Sequence, residues 1–209
     1  MPDTFNAQDK QQVQEAVGSF AWRDQSRWEE LRSTFATDGM ISVSWYSGHI
    51  DGFIQASQAM TSKGRATTKH LIGIPRISVH ETRALAETDV IIMIRAQAGP
   101  IDVDITSHAR FFDRLVIENG HWKILSRNAI YEKDRIDAVS PSLLFWLASF
   151  FLNYKRYPQA LRHLAMGLQR AGYPLIPDVI TAGTHGEEKL KADALMWLSN
   201  GHDGQLHLP

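Results

Sequence analysis

The 209-residue chain contains no cysteine, which excludes disulfides, thiolate nucleophiles and cysteine-ligated metal centres. Neither sign of charge dominates: 22 Lys and Arg face 23 Asp and Glu, a formal net charge of -1. Such a balance gives no electrostatic footprint for nucleic acid or an anionic membrane. Long apolar runs are also missing. The longest, LLFWLASFFL at Leu143–Leu152, is about half of what a bilayer-spanning helix needs. The opening stretch MPDTFNAQDKQQVQEAV is polar and does not read as a secretory signal, so the cytoplasm is the expected location. No glycine-rich phosphate loop and no G-x-S-x-G element is present, which argues against nucleotide cofactors and serine hydrolase chemistry. The nine histidines lack ligand spacing. Asp104 and His108 share a strand face but stand about 13 Å apart at ~3.3 Å per residue. We expect no metal site and no cofactor.

What is present is ordinary globular material, 44% hydrophobic, with six tryptophans and nine phenylalanines to build a core or line an aromatic pocket. Val13, Ala16, Val17 and Phe20 recur at helical spacing and predict a first helix from Asp9 to Phe20. DQSRWEELRSTFATDG predicts a second, with Ser26 and Glu29 in a capping-box pattern and Asp38–Gly39 as its stop. MISVSWYSG reads as a strand with Ile41, Val43 and Trp45 on one face, and HIDGFIQASQAMTSKG as a short helix. Strands are then expected over Thr67–Ile72, Arg76–Glu81, Ala84–Gln97, Asp102–Leu115 and Trp122–Ala129, with ENG as a hairpin signal between the last two. Helices followed by an antiparallel meander indicate an α+β domain. Beyond Ser140 the pattern returns to helix, over Leu143–Tyr154, Pro158–Ala171 and Glu187–Leu198, with GYPLIPDVITAGTHG as loop and a loose tail. The organisation expected is a domain over 1–139 and a helical extension over 140–209 packed on its sheet.

Two stretches carry chemistry. TKHLIGIPRI places His70 inside a strand, where it is either a satisfied structural histidine or a base. DVDITSHARF alternates, with Asp102, Asp104, Thr106, His108 and Arg110 on one face and Ile101, Val103, Ile105, Ser107 and Ala109 on the other. Facing a cavity, the polar row is a substrate-orienting wall; facing solvent, it is an outer surface. We expect a split, with the aspartates near the rim and His108 inside. Arg95 follows the apolar run VIIMI and needs an acidic partner if buried. Tyr46, Tyr131 and Tyr154 are candidate donors, and each can equally be core or rim.

The order of these elements resembles the nuclear transport factor 2 fold in its SnoaL-like and scytalone dehydratase-like branch. RDQSRWEEL, KHLIG, TSHARFFDR with ENGHWKI, and RNAIYEKDRID carry the similarity, over roughly residues 8–139. The resemblance implies a cone: a strongly bent antiparallel sheet wrapped around N-terminal helices, with a pocket on the concave side. It places Asp24 on the family's catalytic aspartate and His70 on its catalytic histidine. It puts Trp45 near a pocket tyrosine, His108 on a pocket asparagine, Thr106 on a serine and Arg23 on a second tyrosine. Arg95 or Gln97 is nearest to a second histidine without a clear counterpart. Loss of both tyrosines departs from the dehydratase pattern.

An Asp–His pair is a physically sound base, because the carboxylate fixes the imidazole tautomer. The site expected has Asp24, His70 and His108 as catalytic residues, with Arg95, Trp45, Thr106, Tyr46 and Tyr131 contacting substrate. The expected activity is a cofactor-independent lyase acting on a small aromatic or polyketide-like molecule. An isomerase or cyclase, a non-catalytic binding module and a ring-hydroxylase small subunit share the fold and remain alternatives. The expected partner is a small molecule, with no nucleic acid or membrane, and a homo-oligomer (dimer or trimer) stays open. The aromatic run after Ser140 is read as core or interface, or as a lid.

Overall fold

The computed structural model describes residues 7–62, 66–151 and 156–200. Tyr154, the tail and part of the aromatic run lie outside the described residues. Helix α1 (Ala7–Gly18) buries Val13, Ala16 and Val17, as the helical spacing requires. A 3-10 helix (Ser19–Gln25) continues it. The capping box expected at Ser26 does not form. Ser26 instead adopts a left-handed conformation, φ 56°, and ends the 3-10 helix. Helix α2 is reduced to Trp28–Ser33, with Arg27 at its N-terminus. Asp38–Gly39 does not stop a helix either, because strand β1 (Phe35–Val43) runs through it. A side chain at residue 39 would meet the Ala36 carbonyl at 2.9 Å, so glycine permits the bulge between Phe35 and Met40.

Strand β2 (Tyr46–His49) and helix α3 (Ile50–Ser62) follow. The remaining long elements are β3 (Ala66–Ile72), β4 (Arg76–His80), β5 (Arg83–Ala98), β6 (Ile101–Glu118) and β7 (His121–Ala138). Asn119 (φ 53°) and Gly120 (φ 77°) are both left-handed at the β6–β7 turn, the backbone that the ENG signal requires. The sheet order is β2-β1-β7-β6-β5-β3, with β4 on β5. The sheet is curved, unclosed and mixed, which corrects the purely antiparallel expectation. Strand β1 pairs with β7 in parallel, and so does β8 (Ile180–Thr181), in a stretch expected to be loop. These pairs join distant segments, so no hairpin signal marks them. Bulges at His108/Ala109 and Arg114/Leu115 bend the long β6–β7 ladder.

The main core lies between the concave face of the sheet and α1, the 3-10 helix and α3, through Phe20, Phe53, Ile92, Phe111 and Ile124. The C-terminal segment supplies more than an outer layer. Helix α5 (Arg162–Arg170) and the turn before it send Leu161 and Leu164 into this same core. Helix α6 (His185–Asn200) packs on the convex face, where Ala194 and Trp197 meet Leu85, Phe112 and Ile130. Polar contacts pin it. Arg110 bridges Glu87, Glu132 and Glu187, while Lys191 bridges Glu87 and Glu187. Helix α4 (Leu143–Phe151) exposes Leu143, Leu144, Trp146 and Leu147, and no described α4 residue lines the cavities described below. No helix among the described residues is long and apolar enough to cross a membrane.

Candidate active site

Strand β3 lies at one end of the sheet path and pairs with β5. Backbone donors on its outer edge therefore need partners from elsewhere. Asp24, near the end of the 3-10 helix, supplies one. Its Oδ2 accepts the His70 backbone N–H at 2.6 Å, while its Oδ1 sits 2.8 Å from His70 Nδ1. The Ser26 turn fixes this position, returning the Ser26 N–H to the Arg23 carbonyl and the Arg27 N–H to the Trp22 carbonyl. Both dyad side chains are buried, His70 to 8% exposure and Asp24 to 5%. The neighbouring Lys69 and Leu71 point outward, as strand alternation demands. Phe20 meets the imidazole edge-on at 5.1 Å.

This geometry selects one imidazole tautomer. An ionised carboxylate only accepts, so Nδ1 must carry the hydrogen and Nε2 keeps its lone pair. Nε2 has no hydrogen-bond partner among the described residues, and the ring forms part of the wall of a narrow chamber of about 60 Å³. Burial disfavours charge on His70 and outweighs the hydrogen bond and charge of Asp24; Arg23 and Arg127 push the same way as burial. The imidazole is therefore held below its ordinary value of 6.5. This lowering is not legible in the sequence, because burial against phenylalanines and the approach of two arginines are tertiary properties. Burial also opposes ionisation of Asp24, but hydrogen bonds from His70 and the nearby positive charges win, and its carboxyl lies below its usual value.

The narrow chamber is aromatic, walled by Phe20, Trp45, Phe53, Phe111 and Tyr131 around His70. A second chamber of about 450 Å³ lies beside it. Arg23, Met60, Thr68, Ile94, Leu164 and Leu168 belong to both walls, so the two adjoin. Residues of the C-terminal segment, Gly167, Arg170 and Tyr173 among them, line the larger chamber.

The expected site residues separate into two groups. Asp24 and His70 are in direct contact, and Trp45 and Tyr131 share the inner chamber with His70. The ring of Trp45 packs on Phe53 at 5.5 Å and Tyr173 at 5.6 Å. Tyr131 accepts the Ser44 backbone N–H at 2.9 Å, and burial raises its phenol above the ordinary value. Tyr131 therefore stays protonated and keeps its own hydrogen to donate.

His108, Thr106 and Arg95 lie elsewhere, which corrects the expectation. On β6, Val103, Ile105, Ser107 and Ala109 are the buried row. A period of two then sends Thr106 and His108 to the convex face, because the core takes the apolar row. Arg95 is on that face too, exposed and paired with Asp104 through two hydrogen bonds. Tyr46 packs on Phe53, but its hydroxyl donates to the His49 carbonyl at 2.9 Å, and it lines neither chamber. Gln97 lines the outer chamber.

Sequence reasoning missed Arg127. It is fully buried, donates to both oxygens of Asp113 at 2.8 and 2.7 Å and to the Val17 carbonyl at 3.2 Å, and lies 4.4 Å from the Phe111 ring centre. Alternation from Trp122 and Ile124 sends Arg127 outward with Lys123, and the bulge opposite Arg114/Leu115 turns it into the core, so no local signal marked it. The Asp–His clamp also recurs at Asp134 and His163, with the same pairing of ring Nδ1 and backbone N–H. There the carboxylate also accepts the Leu164 N–H, at the start of α5, which is a capping role. An aromatic lining distinguishes the Asp24–His70 pair, since the pocket at Asp134 and His163 is walled by polar residues such as Glu132, Lys133 and Gln159. Among the described residues no three His, Asp or Glu side chains gather as metal ligands would.

The model of the SnoaL-like domain matches residues 6–128. Pea pathogenicity protein 2 of Fusarium vanettenii is 30% identical over 190 residues, covering 88% of this chain and 80% of that protein. Among solved structures, LinA superposes with a TM-score of 0.55 at 18% identity, over 68% of this chain and 97% of LinA. A protein of unknown function from Mycobacterium tuberculosis superposes with a TM-score of 0.51 at 14% identity, over 80% of this chain and 94% of that one. The curved sheet with its helices on the concave face and the match over most of the first 128 residues agree: the chain belongs to the SnoaL-like domain family.

Proposed function

We propose that this protein is a lyase that eliminates a small leaving group from an aromatic or polyketide-like molecule, using Asp24–His70 as general base without a metal or organic cofactor. The observation that carries the reading is the two-point grip of Asp24 on His70, which turns an Nε2 lone pair toward an aromatic chamber. The ring is positioned and its tautomer fixed before substrate arrives, and its lowered pKa keeps it unprotonated at neutral pH.

The chemistry balances within the substrate and this pair. Nε2 takes a proton from carbon, and the C–H electrons become the new π bond. The leaving group departs with its own bonding pair. The imidazolium, held by Asp24, returns the proton to the departing oxygen, or to water if the leaving group needs none. The Tyr131 hydroxyl is the donor placed to stabilise oxygen charge in the inner chamber. General acid–base catalysis of this type supplies about 10²–10⁴-fold; orientation and exclusion of water supply the rest.

The test is a panel of aromatic β-hydroxy and β-halo compounds assayed for elimination, with wild type beside His70→Gln. Turnover that disappears with His70→Gln, while circular dichroism is unchanged, is the expected result. Turnover that survives the substitution sinks the reading. No turnover on any compound, together with tight binding, leaves a binding cone as the better account.

A further inference from the structure

The buried arginines of this protein are not partnered alike. Arg127 holds both oxygens of Asp113 at 2.8 and 2.7 Å and a backbone carbonyl besides. Arg110 holds three carboxylates. Arg23 lies between these two in depth, its side chain 10% exposed, yet its charged partner is a single Asp24 oxygen at 3.5 Å. Its other contact is the Met60 thioether at 3.6 Å. The Asp24 oxygens are already engaged by His70 at 2.6 and 2.8 Å. A guanidinium carries five N–H donors in a rigid fork. The unmatched donors of Arg23 are not sealed in the core, as Arg127 Nη1 is, but border the chambers, where a ligand can complete the set.

The position of Arg23 says what that is. It belongs to the wall of both chambers, at their junction, and it reaches the same Asp24 Oδ1 that holds the His70 ring. Among the described residues of the two walls the one carboxylate is Asp24, whose oxygens His70 already holds; Arg170 is exposed at the rim of the larger chamber. The Arg23 fork is thus left open to an anionic ligand. We propose that the substrate carries a carboxylate and that Arg23 receives it through its planar fork, a geometry that ammonium groups do not match. This deepens the lyase reading and rests on it for the chemistry, though not for the binding. With the carboxylate on Arg23, a neighbouring carbon lies beside His70 Nε2, and the aromatic body fills the apolar chambers. Arg23 also stabilises charge that moves toward the carboxylate as the proton leaves.

The experiment measures binding and needs no turnover. Phenylacetate and its neutral isostere phenylacetamide are titrated into wild type, Arg23→Gln and Arg23→Lys, with affinities taken from amide chemical shifts at pH 7.5. A charge-assisted hydrogen-bond pair predicts that wild type prefers the acid by about tenfold or more. Arg23→Gln is expected to lose that preference while binding the amide within about threefold of wild type, which shows that the pocket has survived. Arg23→Lys keeps part of the preference. Equal binding of acid and amide by wild type overturns the proposal. So does a preference that persists in Arg23→Gln, or failure of the acid to bind at millimolar concentration. Because the affinities are read without turnover, loss of the lyase reading (turnover that survives His70→Gln) and loss of this one (no acid preference tied to Arg23) are separate results.

Discussion

Asp24→Asn is the sharpest perturbation of this site, because it changes hydrogen bonding with almost no change in shape. In the native pair one carboxylate accepts twice, from the His70 backbone N–H at 2.6 Å and from Nδ1–H at 2.8 Å. An asparagine has one acceptor oxygen and one NH₂ donor. The backbone N–H has no tautomer and keeps the oxygen. The NH₂ group then faces Nδ1, and two donors oppose each other unless the ring moves its hydrogen to Nε2. The substitution therefore flips the tautomer and removes the lone pair from the chamber. A wrong-tautomer imidazole in an otherwise intact triad lowers kcat by about 10⁴, and we expect a loss of about 10²–10⁴-fold here. The His70 pKa falls further, since the substitution deletes the Asp24 contributions that oppose burial. Loss of a charge-assisted hydrogen bond predicts a stability decrease of about 1–3 kcal/mol. The assay is a long-range ¹H–¹⁵N correlation of the imidazole nitrogens, with turnover and urea denaturation beside it. An unchanged Nδ1–H tautomer, or turnover within tenfold of wild type, refutes the reasoning.

Two further outcomes follow from the same geometry. His70 is harder to protonate in the fold than in the unfolded chain, where its value is 6.5. Below 6.5 the unfolded chain binds the proton first, so stability falls with falling pH there until the folded-state value is passed. Asp24, depressed below 3.8, adds a second loss as pH drops through that value. The acid limb of kcat/KM is accordingly expected below 6.5, with no decline between neutrality and that point; a limb above 6.5 in a pH–rate profile contradicts the burial argument. Arg127→Met leaves Asp113, itself fully buried, without its cation. Urea denaturation should show a loss of about 3–5 kcal/mol, largely recovered in Arg127→Met/Asp113→Leu, and a single-variant loss under 1 kcal/mol would show that water reaches Asp113.

Much of this protein was legible in its residues, and the boundary of legibility has physical causes. The spacing of Val13, Ala16 and Val17 set helix α1, the alternation of β6 set two opposite faces, and Asn119–Gly120 set a hairpin. These are local: a side chain's face follows from backbone period, and a turn from the conformations its residues tolerate. The sequence also placed His70 in a strand and, through family resemblance, set Asp24 against it.

Tertiary structure decided the rest. Alternation grouped Asp104, Thr106 and His108 but could not choose between core and solvent. The apolar row of Val103 and Ile105 won the concave side and carried His108 out. Ser26 carries a capping signal, yet it went to a left-handed turn whose product is the position of Arg23 and Asp24. The parallel partners of β7 come from either end of the chain, and Leu164 and Tyr173 reach the chambers from beyond the expected boundary at residue 139. Burial belongs to the same class. Whether His70 gains or loses protons depends on a phenylalanine edge and two arginines, Arg23 and Arg127, that are distant from it in sequence. Local pattern fixes which way a residue can point; only the packed fold fixes what it meets there.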